Sequence, residues 1–500
     1  MSQGTVKKVK LNFIFGILAQ VITLGIGIII PKLFISSFGS EVNGYINSIN
    51  QIITYIALLE AGVGAASIQA LYAPIGNNQR DKINGILAAT NKFYTRTAVI
   101  YLGIVLGLSF VYPLLIKSTL SYPLMVIIFM ITGGSGVVPY FCQAKYKIFL
   151  TVDGKGYIVT ILTTLYQVVL SFGKALLLLA GFNVITVQSL YLILNIVQAI
   201  AFTIYIKKKY NWVNLKVKPD VQAISKSKSV IIHQISGLIF NNTDVLILTF
   251  FCDLKTVSVY ALYKTFISII GTLVNHFSNS ISFRLGQLFE NRDKFLGLFD
   301  AYETFHIALT FGLCTIAYLF FMPFLTLYTE GMDANYLLTY MPLLVVVIEI
   351  LTYSRIPSQN VINYAGHFKE TQWRSLAESI INLGLSLIMV NILGIYGVLI
   401  GTVVALLYRV NDIIIYSNKT ILKRSPLPAY RTWLVNIAFS VAVVVIVTRL
   451  NLPTNNYISL IISAGIVSVI AVPTQILINF VINKKAGLFA LDLAKKLLHK

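Results

Sequence analysis

Long apolar segments recur along the whole chain, and their length limits the possible folds more than any other feature. The first runs from Leu11 to Leu33, and similar runs follow as far as residue 483. A helix needs about 20 apolar residues to cross a bilayer. Hydrocarbon offers no hydrogen-bond partner to the backbone, so a crossing segment must be an α-helix or part of a closed barrel. Continuous rather than alternating apolar runs favour helices.

The composition agrees with a chain that faces lipid. Hydrophobic residues make up 57% of the 500 residues and charged residues only 11%, whereas soluble domains average roughly 25% charged residues. We therefore predict an all-α integral membrane protein with about fourteen transmembrane helices. The predicted spans lie near 11–33, 44–71, 86–113, 121–144, 156–181, 186–206, 229–251, 257–283, 299–326, 336–362, 372–391, 394–417, 432–449 and 457–483.

The distribution of lysine and arginine predicts the orientation of these spans. If the N-terminus is inside, 30 of the 39 basic residues lie in inside segments or toward the inside ends of spans. Four lie in outside loops or at the outside ends of spans, and five lie within spans. Cytoplasmic loops of membrane proteins carry such an excess. We expect both termini to be cytoplasmic. The net charge of +21 then reflects topology, and we expect no nucleic-acid partner.

Two sequence matches at nearly equal offsets indicate an internal repeat. Residues 42–56 align with 257–271 at an offset of 215, and 179–194 align with 392–407 at an offset of 213. Parallel repeats of this kind occur in transporters. The repeat predicts two six-helix lobes plus two extra helices. The segments are an N-lobe at 1–206, a cytoplasmic connector at 207–228, a C-lobe at 229–417, spans 13 and 14 within 418–483, and an amphipathic cytoplasmic tail at 484–500.

Charged side chains inside spans are the candidate functional residues, because a charge at the bilayer centre costs at least about 2.5–3.5 kcal/mol. Cations in a central cavity would suit an anionic group such as a diphosphate. The candidates for that role are Lys174, Lys264, Arg355 and Lys32. Arg409 and Asp412 are three residues apart on one predicted helix, and that spacing favours a local ion pair instead.

A second set of polar residues could line the cavity or couple transport to an ion. It consists of Glu60, Asn241, Asn242, Asp244 and Glu349. The alternative is that these residues join helices to one another, as polar groups do in membrane proteins. Both interpretations stay open at this stage.

Motifs of catalysis and metal binding are missing from the sequence. There is no HExxH, P-loop or GxSxG pattern, and Cys142, Cys252 and Cys314 form no CxxC pair. We expect no catalytic residue, no metal and no cofactor. The chain is predicted not to be an enzyme.

Three stretches resemble a known family. The stretches are PKLFISSFGSEVNGYINSINQIITYIALLEAGVGAASIQALYAPI (31–75), GLIFNNTDVLILTFFCDLKTVSVYALY (237–263) and ESIINLGLSLIMVNILGIYGVLIGTVVALLYR (378–409). They are similar to the bacterial polysaccharide-export family of Wzx-type oligosaccharide flippases. That family belongs to the multidrug/oligosaccharidyl-lipid/polysaccharide exporter superfamily. The resemblance extends over nearly the whole chain.

The resemblance implies a function in the bacterial cytoplasmic membrane. Such a flippase moves an undecaprenyl-diphosphate-linked oligosaccharide repeat unit from the inner to the outer leaflet by alternating access, for assembly of a capsule or exopolysaccharide. Its partners would be that lipid-linked glycan, membrane lipids and a polysaccharide polymerase. The alternatives are a cation-coupled multidrug exporter of the same superfamily and a membrane polysaccharide polymerase. A polymerase would be expected to carry a large outside loop, and the sequence has none.

Overall fold

The computed structural model describes residues 3–60, 63–224, 228–489 and 491. Side chains are described from residue 25 onward, except at 26, 59, 65, 228–235 and 241. Within these ranges the regular structure is helical throughout. The predicted all-α class is therefore confirmed.

Sixteen α-helices make up the described chain, joined in four places by short 3-10 or π-helical turns. They are α1 Gln3–Ile56, α2 Val63–Gly76, α3 Arg80–Leu115, α4 Tyr122–Val138, α5 Ala144–Val152, α6 Gly156–Leu179, α7 Val184–Lys209, α8 Lys228–Phe251, α9 Leu254–Leu288, α10 Arg292–Tyr328, α11 Met341–Ser354, α12 Ile356–Tyr364, α13 Phe368–Leu393, α14 Ile395–Ile415, α15 Leu427–Arg449 and α16 Tyr457–Ile482.

The helices follow the fourteen predicted spans. Eleven helical segments of the described chain are long and apolar enough to cross a membrane, and they correspond to predicted spans 3–6 and 8–14. Span 4 comprises α4 and α5, and span 10 comprises α11 and α12. The first span and the start of the second share α1, which bends at Gly39, where φ is 82°. The chain is thus a multi-pass membrane protein.

Asparagine caps fix where two of the spans begin. Asn183 accepts a hydrogen bond from the Thr186 amide at 2.9 Å and starts α7. At α16, Asn456 accepts from the Ser459 amide at 2.9 Å while Ser459 Oγ accepts from the Asn456 amide at 3.2 Å. This reciprocal pair satisfies amides that the first helical turn leaves without partners.

The chain divides into two compact units, Met1–Ala261 and Leu262–Lys500. The boundary lies inside α9, whereas the lobes predicted from the repeat meet in the connector at 207–228. The lobe boundaries remain a prediction. In the first unit, a core around Tyr45, Tyr101 and Phe129 is fully buried.

The second unit contains a three-helix bundle of α10, α15 and α16. Apolar side chains such as Phe320, Val443 and Val467 fill its centre. Asn436 and Asn479 exchange hydrogen bonds of 3.0 and 2.9 Å, and Gln475 donates to Asn436 Oδ1 at 2.9 Å. Because all three amides are buried, these bonds hold the two extra helices together.

The predicted connector is packed against the first unit rather than extended. The Asn214 amide donates to Asn84 Oδ1 at 3.0 Å, and the Asp220 amide donates to the Gly85 carbonyl at 3.0 Å. Ile224 is buried. These contacts attach residues 210–224 to the start of α3. Of the predicted amphipathic tail at 484–500, residues 490 and 492–500 lie outside the described part of the chain.

A close backbone contact joins α1 to the start of α9 within the first unit. A Cβ atom added at Gly44 would lie only 1.7 Å from the Leu254 carbonyl oxygen. One residue earlier, Asn43 Nδ2 donates to Ser258 Oγ at 2.7 Å. Only glycine allows the two backbones to approach so closely. We call this the Gly44 contact.

Next to the Gly44 contact, Glu41 organises the loop between α3 and α4. Its Oε1 accepts hydrogen bonds from Ser118 Oγ at 2.8 Å and from the Thr119 amide at 2.6 Å, and its Oε2 accepts from the Thr119 hydroxyl. Burial alone would raise the pKa of Glu41, but these donors and the charge of Lys255 outweigh it and hold the pKa below its ordinary value.

Candidate functional site

Lys174 lies inside the first unit with an aromatic partner instead of an acid. Its ammonium is 5.5 Å from the centre of the Tyr191 ring, and it forms no ion pair with an acid among the described residues. The Tyr166 ring is 6.4 Å from that of Tyr191, and Tyr166 Oη accepts from Asn195 Nδ2 at 3.0 Å. A cation over a ring face is stabilised by the ring's electron density. These four residues form what we call the Lys174 cluster.

Helix geometry sets the depth of this lysine. Lys174 is five residues before the end of α6 at Leu179, which is about 8 Å at 1.5 Å per residue. It therefore lies within the last two turns of α6. The Cα–Cβ bond of a helical residue points toward the helix N-terminus, so the side chain starts away from that end. Its contact with Tyr191, seven residues into α7, agrees with this direction.

Lys264 and Glu349 are brought together in the second unit. Lys264 is ten residues into α9 and Glu349 eight residues into α11, so each lies about 12–15 Å from its helix start. Their charges attract one another. Lys264 is exposed, whereas Glu349 is half-buried and its Oε2 makes no hydrogen bond within the described structure. The roles of both residues remain a prediction.

Two further residues, His306 and Tyr353, connect α10 to the helix that carries Glu349. His306 is fully buried on α10, and its Nε2 is 2.9 Å from the Tyr353 carbonyl oxygen. The charge of Glu349 also acts on Tyr353. A single histidine in an apolar helix carries no periodic signal, so only the fold shows that its ring reaches the α11 backbone four residues from Glu349.

Arg355 belongs to a chain of buried ion pairs in the second unit. Its Nη1 lies 2.6 Å from Glu378 Oε1, and Arg409 Nε lies 3.4 Å from Glu378 Oε2. Arg409 Nη1 lies 2.8 Å from Asp412 Oδ2, which confirms the predicted local pair. Arg374 contacts the other oxygen of Asp412.

This ion-pair chain connects the junction of α11 and α12 to α13 and α14. Its three arginines and two acids alternate, so each acid is shared between two cations. Glu378 is 5% exposed and Arg409 only 3%, so neither charge could be held there without the other. The structure thus gives Arg355, predicted as a diphosphate ligand, an acidic partner within the protein.

The polar residues that follow Asn241 in α8 form hydrogen bonds with neighbouring helices and with their own backbone. Asp244 accepts from Tyr260 Oη at 2.8 Å, and Thr243 Oγ1 is 2.7 Å from Tyr55 Oη. Asn242 Nδ2 donates to the Leu238 carbonyl of its own helix at 3.0 Å. These bonds link α8 to α1 and to the start of α9, as the helix-joining interpretation expects. The Asn241 side chain lies outside the described residues.

Glu60 and Lys32 are the two remaining candidates from the sequence. Glu60 ends the 3-10 turn Ala57–Glu60, where the second span is interrupted, and it bonds to Tyr94. Lys32 is half-buried in α1, seven residues before the bend at Gly39. The described residues contain no group of three or more His, Cys, Asp or Glu side chains placed to hold a metal ion.

The helix order and the long apolar spans define a transporter-type membrane fold. Solved structures with a similar fold are known. The chain is similar to a lipid II flippase, MurJ, in an inward closed conformation, with a TM-score of 0.67 and 16% identity over 94% of this chain and 98% of that one. It is also similar to a multidrug resistance MATE family transporter of the MOP superfamily. The inward-facing conformation gives a TM-score of 0.61 at 14% identity, over 81% of this chain and 95% of that one.

The outward-facing MATE conformation gives a TM-score of 0.55 at 13% identity, over 84% of this chain and 96% of that one. No protein-family model matches the sequence, and no curated protein matches it. At these identities the likeness establishes the fold shared by MurJ and the MATE transporters.

Proposed function

We propose that this protein is a flippase that moves an undecaprenyl-diphosphate-linked oligosaccharide repeat unit from the inner to the outer leaflet by alternating access. The Lys174 cluster is the observation that carries the proposal. It presents an ammonium with no acidic partner among the described residues, and it does so inside a membrane-spanning helix bundle. The similarity to a lipid II flippase over 94% of the chain supports the same class of substrate.

The chemistry of the cluster suits such a substrate. A diphosphate carries negative charge that an ammonium attracts much more strongly in a low-dielectric site than in water. The rings of Tyr166 and Tyr191 offer an apolar face to a sugar. The polyprenyl tail would stay in the bilayer while the polar part crosses.

In the second unit, Lys264 has a different role in this proposal. Because Glu349 attracts it, Lys264 would release the substrate more readily than a lysine without an acid nearby. Arg355 would contact the diphosphate only by sharing its charge with Glu378. The remaining candidates for lining the substrate path are Lys32, Glu60, Asn241, Asn242 and Asp244.

The proposal places the chain in the bacterial cytoplasmic membrane with both termini in the cytoplasm. Its product would feed a polysaccharide polymerase on the outer side, for a capsule or exopolysaccharide. No catalytic step is assigned to the chain itself.

A transport assay in vesicles tests the proposal. Purified protein is reconstituted into liposomes with a fluorescent lipid-diphosphate oligosaccharide, and the inward-facing pool is followed by chemical quenching. Lys174→Gln should slow translocation at least tenfold, and Lys174→Arg should retain part of the rate because it keeps the charge. Lys117→Gln, which removes an exposed cation, is the matched control and should change the rate less than twofold. Equal rates for Lys174→Gln and the control would exclude the proposed role of the cluster.

The second candidate function is cation-coupled export of drugs, and Glu349 is the observation that favours it. A half-buried carboxylate with one oxygen free of hydrogen bonds can exchange a proton or bind a cation, and the MATE transporters share this fold. In the same liposomes an exporter would move a cationic dye, would lose that activity in Glu349→Gln, and would leave the lipid-linked oligosaccharide in place.

A further inference from the structure

A charged pocket lies at one end of the α10, α15 and α16 bundle, apart from the residues considered for transport. Its volume is 370 Å³, and its walls come from the start of α10, the start of α15 and the chain just after α16. That size falls at the low end of the range for ligand pockets. It fits a lipid headgroup rather than a whole lipid.

Three cations line one side of this pocket. Arg431, Lys484 and Lys485 are exposed, and none of them forms an ion pair with an acid within the described structure. Their positive charges are thus available to an anion from outside. They lie on the side of the membrane where the lysine and arginine residues are concentrated.

The two acids that also line the pocket, Asp300 and Glu303, share one cation of the protein. Arg424 Nη1 lies 2.5 Å from Asp300 Oδ1, and its Nη2 lies 3.6 Å from Glu303 Oε2. Ser358 Oγ donates to Glu303 Oε1 at 3.2 Å. Because Arg424 is shared between the two acids, they repel an incoming anion less than two isolated carboxylates would.

The backbone around the cations is fixed by packing. Asn483 Nδ2 donates to Thr432 Oγ1 at 3.2 Å and so joins the end of α16 to the start of α15. Ala486 is buried, and the Phe489 ring lies against Gly297 of α10. These contacts hold Lys484 and Lys485 at the rim of the pocket, so a bound ligand need not order a loose segment.

We propose that this pocket binds the phosphate of an anionic phospholipid headgroup, of the phosphatidylglycerol type, from the leaflet on the basic side of the membrane. Phosphate accepts several charge-assisted hydrogen bonds, and one arginine with two lysines can supply them. The site is independent of the transport proposed above. It would attach the two extra helices to the membrane surface.

The experiment measures lipid binding to the purified full-length protein in a neutral detergent, by native mass spectrometry. Dioleoylphosphatidylglycerol is titrated against wild type and against the triple variant Arg431→Gln, Lys484→Gln, Lys485→Gln. Each Lys or Arg near an anionic headgroup contributes about fivefold in binding, so the triple variant should bind about 100-fold more weakly. The control variant Lys208→Gln, Lys209→Gln, Lys216→Gln removes three exposed cations elsewhere and should stay within threefold of wild type.

Two further arms use the wild-type protein alone, so they do not depend on the folding of the triple variant. Dioleoylglycerol has the same chains without the phosphate and should show no saturable binding. Sodium phosphate at 10 mM should displace less than half of the phosphatidylglycerol. Full displacement would overturn the lipid headgroup as the ligand in favour of free phosphate. Equal binding of the two lipids, or equal affinity of the triple and control variants, would overturn the site itself.

Discussion

Replacing Gly44 by alanine should separate α1 from the start of α9. The added Cβ would lie 1.7 Å from the Leu254 carbonyl oxygen and 2.6 Å from its carbon. Both atoms belong to the backbone, so no side-chain rotation can relieve the overlap. The helices must move apart, or the α8–α9 turn must change shape.

The size of the movement follows from ordinary contact distances. Van der Waals contact of a Cβ begins near 3.4 Å, so the gap must widen by 3.4 − 1.7 = 1.7 Å. The Asn43–Ser258 bond, 2.7 Å long in the wild type, could not survive such a shift. Overpacking of this kind costs about 1–3 kcal/mol, which lowers the population of the closed contact by about 5- to 150-fold.

Disulfide formation between Asn43→Cys and Ser258→Cys measures this population in native membranes. Cys142, Cys252 and Cys314 are first replaced by serine so that only the engineered pair can react. Oxidation followed by proteolysis and mass spectrometry gives the fraction of linked peptide. With Gly44 present the pair should link rapidly, because disulfides form only when the Cα atoms are within about 7 Å. With Gly44→Ala the initial rate should fall at least fivefold.

Gly103→Ala is the matched control for this measurement. Gly103 has no atom within 4 Å of its added Cβ, so the linking rate should not change. An unchanged rate in Gly44→Ala as well would show that the contact tolerates a methyl group. The reasoning from backbone distances would then be wrong.

Three further predictions concern stability, measured as the melting temperature of the protein in detergent. Glu378→Gln leaves Arg355 and Arg409 without their shared acid and should destabilise the fold by about 3–5 kcal/mol. Asn436→Ala removes a member of the buried amide network and should cost about 1–2 kcal/mol. The lowered pKa of Glu41 means that its contribution is complete above its ordinary pKa and is lost as the pH falls through the lowered value. Wild type should therefore lose more stability between pH 7 and pH 4 than Glu41→Gln does.

Each of these measurements has a control in the same chain. Glu370 is exposed, so Glu370→Gln should shift the melting temperature by far less than Glu378→Gln. Asn391 bonds only to its own helix at an exposed position, and Asn391→Ala should be nearly neutral. An equal drop in melting temperature for a variant and its control would contradict the role given to the ion-pair chain or to the amide network. For Glu41, identical dependence of the melting temperature on pH in wild type and in Glu41→Gln would contradict the stabilising role of its carboxylate.

The positions of the helices could be predicted from the sequence because the membrane imposes a simple length rule. The eleven long apolar helices all coincide with predicted spans. Breaks inside spans were harder to predict. The division of span 10 into α11 and α12 at Arg355 does not show in the apolar pattern, and its one local signal is Pro357 at the start of α12.

Contacts between the candidate site residues could be predicted only where the two partners are close in sequence. Arg409 and Asp412 are three residues apart, and their pair was expected. Glu378 and Arg355 are 23 residues apart on different helices, and nothing in either segment indicates that they meet. The same holds for Lys174 and Tyr191, whose contact depends on how α6 packs on α7.

The Asn43–Ser258 hydrogen bond has a consequence for the ancestry of the chain. The two residues are 215 positions apart, the same offset that aligns segment 42–56 with 257–271. In the repeat that the sequence predicts, a residue therefore bonds to its own counterpart in the other copy. In a homodimer of one ancestral half, that position would have bonded to itself across the symmetry axis.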